Sequence, residues 1–105
     1  MGPAKPLNLE QFRALVGGGG VQPGGQSVIL RALGADWMIV ALQRSGGEVV
    51  LYGTNTKQPR TFADPRNALL LLREMGIREA HIDARDWTPE QRGLKTTPAG
   101  GRAKK

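Results

Sequence analysis

With 105 residues the chain has room for one domain and a modest core. It holds no cysteine, which excludes disulfides, thiolate nucleophiles and Cys-ligated zinc. The formal charge of +6 is uneven: residues 1–84 carry nine Lys/Arg against seven Asp/Glu, and residues 85–105 carry six against two.

No apolar run approaches the roughly 20 residues of a membrane helix, and "MGPAKPLNLEQF" lacks the apolar region of a secretory signal. The expectation is a soluble, cytoplasmic protein with no membrane partner. A basic surplus of this size draws a chain towards polyanions such as nucleic acid.

In chain order, "LNLEQFRALV" sets Leu9, Phe12, Leu15 and Val16 at helical spacing. Asn8 and Gln11 form a capping box, and Leu7 is placed to staple against Phe12. A short helix packed on the domain follows. "GGGGVQPGGQS" then reads as a flexible linker or mobile loop. It lacks the Gly-Lys-Ser/Thr ending of a phosphate loop.

"SVILRAL", "DWMIVALQR" and "EVVLYGT" are rich in β-branched and aromatic residues and read as strands, the last two joined by a Ser45-Gly46-Gly47 turn. Trp37, Ile39 and Ala41 alternate with Met38, Val40 and Leu42, so both faces of the middle strand are apolar. Such a strand belongs at the centre, with something covering each side.

"QPRTF" reads as a short edge strand, because Pro59 has no N–H to donate. Asp64 and Pro65 then start a helix that runs through "RNALLLLREM" and stops at Gly76, with Ile77 in apolar contact beyond. Ala68, Leu71, Leu72 and Met75 share one stripe with Leu69 on its flank. Leu70 points away, covered by the N-terminal helix or offered to another chain. "REAHIDA" returns as a strand, parallel to the one before the helix if the crossover is right-handed. Trp87 is expected to fold back on the core, and disorder beyond Pro89.

The expected fold is α+β: a small, mainly antiparallel sheet of three to five strands, one main helix packed on it and a short N-terminal helix. Its parts are residues 1–26 (helix and Gly-rich linker), 27–88 (compact domain) and 89–105 (basic tail).

His81 lies between Glu79 and Asp83 on one strand face, which reads as a solvated polar face rather than a metal site. The serines and threonines have no evident base. No catalytic residue, metal or cofactor is therefore assigned, and the chain reads as non-enzymatic. Nucleic-acid contact has more support. Lys57, Arg60 and Arg66 cluster with Asn55, and Tyr52 offers a stacking face. Arg102, Lys104 and Lys105 in the tail add a salt-sensitive grip. Leu69 and Leu70 are the candidate interface to a partner protein.

The pattern "GADWMIVAL…GEVVLYGTNTKQPRTFADPRNALLLLREMGI…HID…W", over about residues 28–87, resembles small partition-associated proteins of bacterial plasmids and integrative elements. The resemblance implies a non-enzymatic accessory in maintenance of mobile DNA or its regulation, acting beside a partition ATPase or on DNA; the expected nucleic-acid partner is DNA or RNA, with DNA favoured. The alternative is a protein-interaction module, a homodimer or one docked on a partition ATPase, without direct nucleic-acid binding.

Overall fold

The computed structural model describes residues 4–55 and 57–90. Eight elements follow one another: β1 (Lys5–Leu7), α1 (Leu9–Gly17), β2 (Val28–Leu33), β3 (Asp36–Leu42), β4 (Glu48–Leu51), β5 (Thr61–Phe62), α2 (Pro65–Glu74) and β6 (His81–Asp83). The sheet order is β1-β4-β3-β2-β6, with β5 also paired to β3.

The α+β class is as expected, but the sheet has six strands and is mixed rather than mainly antiparallel. β2, β4 and β5 run antiparallel to β3, while both edges are parallel pairs, β1 with β4 and β6 with β2. The cause is the two helices. Each carries the chain back past two strands, so the strand after it runs in the same direction as the strand before it. β6 is thus parallel to β5, but at the far edge of the sheet. β1 gives no alternation in sequence because it is three residues long and contains Pro6, a residue suited to an edge. It joins the N-terminal segment to the same sheet as residues 27–88.

Both helix starts have the expected caps. Asn8 accepts from the Gln11 N–H at 2.8 Å while the Gln11 side chain accepts from the Asn8 N–H at 2.9 Å. Asp64 accepts from the Arg66 N–H at 2.9 Å, and Pro65 occupies the first helical position. α2 ends in a Schellman motif. Ile77 N–H reaches Leu72 C=O, Gly76 N–H reaches Arg73 C=O, and Gly76 takes the left-handed φ of 85° that the motif needs.

The main core lies between the sheet and the helices. Phe12 of α1 and Ala68 and Leu72 of α2 pack with Leu30, Trp37, Ile39, Val49, Leu51 and Phe62. On the opposite face Ile29, Val40 and Val50 form a second cluster with Met38, Leu42 and Tyr52 around it. No helix residue belongs to that cluster. The expectation that something covers each side of β3 therefore holds on the helix side alone; on the other face, among the described residues, only side chains of the sheet and the N-terminal segment shield the cluster.

Arg31 stands opposite Met38, and Glu48 opposite Leu42, with Val40 between them on β3. The Arg31–Glu48 pair, two hydrogen bonds of 2.9 and 2.8 Å, therefore crosses diagonally above Val40, which is fully buried. Such a long side chain shields apolar surface with its stem while its head stays in contact with water.

The Gly-rich segment is not a free linker. Val21 bridges Gln43, Gln22 N–H reaches Leu42 C=O, and Arg44 donates from its backbone to Gly20 and from Nε to Gly19. Residues 19–22 thus run along the end of β3. At the other end of that strand Trp87 lies against Trp37 with the rings tilted by 34° and their centroids 5.6 Å apart, and its indole N–H donates to Ala35 C=O. The fold-back of Trp87 is as expected.

Candidate nucleic-acid interface

β4 and β5 lie along the same edge of β3. Val50 is opposite Val40 and Thr61 opposite Met38, where a continuous strand would place Leu51 alone. Residues 52–60 are the excess, and the described ones, 52–55 and 57–60, leave the sheet as a closed finger. Arg60 N–H donates to Leu51 C=O at 2.9 Å, Tyr52 bridges Pro59, and Gly53 N–H donates to Gln58 C=O at 3.2 Å. At the tip Asn55 holds a left-handed φ of 64°, a conformation asparagine tolerates better than most side chains.

The finger carries Lys57 and Arg60, both exposed, and residues 49–63 contain no Asp or Glu. Tyr52, Asn55 and Lys57 line a shallow pocket of about 470 Å³ with Pro6, Leu7 and Asn8. Tyr52 is half-buried against the Val40 and Val50 cluster, so only part of its ring faces out. Arg60 sits over the Phe62 ring, 5.2 Å from its centroid. Phe62 belongs to the helix-side core, so Arg60 and Tyr52 serve opposite faces of the sheet. Arg66 is exposed in the first turn of α2, where the Asp64 carboxylate already holds its backbone N–H. The structure thus brings together Tyr52, Asn55 and Lys57, and separates Arg60 from that pocket. Arg102, Lys104 and Lys105 lie outside the described residues.

Among the described residues, Lys57, Arg60 and Arg66 form no ion pair; other cations do. Arg13 meets Glu74 at 3.4 Å on the surface. Arg31 joins Glu48 at 2.8 Å and Asp83 at 3.6 Å, and Arg85 grips Asp83 through two hydrogen bonds of 3.0 and 2.9 Å. Glu48, Arg31, Asp83 and Arg85 make one continuous chain across the second face. The Arg31 hydrogen bonds hold the Glu48 carboxyl below the usual carboxylate range, against a smaller opposing effect of burial. Arg85, through its side chain and then its backbone N–H, holds Asp83 well below it. Sequence reading passed over Arg31. The signal was present, since a lone charge inside "VILRAL" must find a partner to sit on a half-buried strand.

His81 is exposed on β6; of the acids flanking it, Asp83 is held by the two arginines, while the Glu79 carboxylate lies beside Gly25. On α2, Leu69 and Leu70 remain 48% and 40% exposed. α1 leaves Leu70 exposed, although it shares the buried core with α2 through Phe12 and meets it on the surface where Arg13 reaches Glu74. No helix among the described residues is long and apolar enough to cross a membrane.

The chain was compared with protein-family models, curated proteins and solved structures, and nothing matches.

Proposed function

We propose that the protein binds nucleic acid, with the finger of residues 52–60 as its main contact. The observation that carries this reading is a projecting, backbone-closed loop that bears two uncompensated cations and no acid. Phosphate oxygens are the natural partners of such cations, and exposed Asn55 and Gln58 add side-chain types that hydrogen-bond phosphate and sugar. A ligand strand that follows the finger meets Lys57 beside Tyr52 on one side and Arg60 on the other. Arg60 is held by a cation–π contact, so less of its freedom is lost on binding.

A role in maintenance of plasmid or mobile-element DNA rests on the sequence resemblance. No reaction is assigned to the site, which is a surface for contact rather than a pocket for chemistry. The reading is tested by an NMR titration of the full chain with short duplex DNA and single-stranded DNA. Amide shifts are expected at residues 52–60 and at Lys5 to Asn8 around the shared pocket. Shifts confined to other surfaces, or none at low salt, contradict it.

A further inference from the structure

The two edges of the sheet are protected differently. β1 presents Lys5 and Pro6, a charge and a residue without an N–H, which are common devices against strand addition. β6 presents neither proline nor lysine, and no described strand pairs with its outer side. Ile82 at its centre pairs with fully buried Leu30 and points to the helix side, yet is 50% exposed. α2 packs over β3 and β5 and leaves this edge open.

Between α2 and the segment leading into β6 lies a groove of about 180 Å³. Leu69, Leu72, Ile77 and Ala80 give it apolar walls. That volume is below the roughly 300–1,000 Å³ of small-molecule sites and suits a side chain or two of a peptide. Arg73 and Arg78 stand at its rim, exposed and without an ion pair among the described residues. Glu79 also borders it, but its carboxylate lies against Gly25, 3.2 Å from where a Cβ there would sit.

We infer that an extended acidic and apolar segment of a partner protein docks on this edge, adding to β6 as a further strand and inserting an apolar side chain into the groove. Strand addition draws affinity from main-chain hydrogen bonds and specificity from pockets for alternate side chains, and β6 with its groove supplies both. Charge selects the occupant. A second copy related by a two-fold axis would bring two sets of Arg73 and Arg78 together, whereas an acidic segment neutralises them. The site lies at the opposite edge of the sheet from β1 and the finger, so it stands independently of the nucleic-acid reading.

The test is an NMR titration of the full chain with an eight-residue peptide alternating valine and glutamate, against its valine–lysine counterpart. The glutamate peptide should shift residues 69–83, slow hydrogen exchange in β6, and bind more weakly as salt rises. Ile82→Lys, and Arg73→Glu with Arg78→Glu, should each weaken it at least about tenfold, while Lys57→Ala with Arg60→Gln leaves it unchanged. Three results overturn the inference: no shifts at millimolar peptide, equal binding of the lysine peptide, or concentration-dependent shifts at β6 without peptide, which would make the occupant a second copy.

Discussion

On its helix side the sheet buries Leu30, Ile39, Val49 and Leu51 beneath Phe12, Ala68 and Leu72, whereas on its other side Val40 is buried beneath an arginine and a glutamate. The first arrangement draws on apolar area, about 1.5–3 kcal/mol for each large side chain removed from water. It is insensitive to pH. The second also buries apolar area, at Ile29, Val40 and Val50, but its cover includes two charges, each with its side chain 28% exposed, and solvent screening keeps an ion pair of that kind near about 1 kcal/mol. One sheet is therefore held firmly from one side and conditionally from the other.

The largest effect should come from the helix side. Phe12→Ala is expected to lower stability by about 3–5 kcal/mol in urea unfolding, through the lost transfer energy and the cavity left behind. A loss below about 1 kcal/mol would mean that α1 is not part of the cooperative unit. Arg31→Met keeps an apolar stem above Val40 and removes the charge, and should cost about 1 kcal/mol. A cost as large as that of Phe12→Ala would erase the contrast between the two faces.

Acid should separate the faces further. Glu48 and Asp83 have folded-state pKa values below their unfolded ones. Their contribution is present above the ordinary carboxylate range and is lost as pH falls through the depressed folded values. Stability should drop below about pH 4, and more steeply in the native chain than in Arg31→Met. The smallest effect belongs to the finger: Lys57→Ala with Arg60→Gln should stay within about 0.5 kcal/mol of the parent, apart from the contact with Phe62.

What was legible in the sequence was local. The caps at Asn8 and Asp64, the stop at Gly76, the turn at Gly46 and Gly47, and the alternation along β3 are decided by residues a few positions apart, and all stand as read. What was not legible was long-range. β1 shows itself only through its pairing with β4, β6 was readable as a strand but its place beside β2 was not, and the Gly-rich segment is fixed by acceptors and donors on Leu42, Gln43 and Arg44. The same holds for the candidate site. Lys57, Asn55 and Tyr52 could be picked out by type, but the closure of the finger depends on where β5 rejoins β3, and no local pattern encodes that.

The central claim is that the finger's cations meet phosphate. Fluorescence anisotropy with a labelled oligonucleotide, followed across a salt series, tests it most directly. Each phosphate contact contributes about 0.7–0.9 to the slope of log affinity against log salt. Lys57→Ala with Arg60→Gln should weaken binding and flatten that slope by about 1.4–1.8. Equal affinity and an unchanged slope in the double variant would contradict the account.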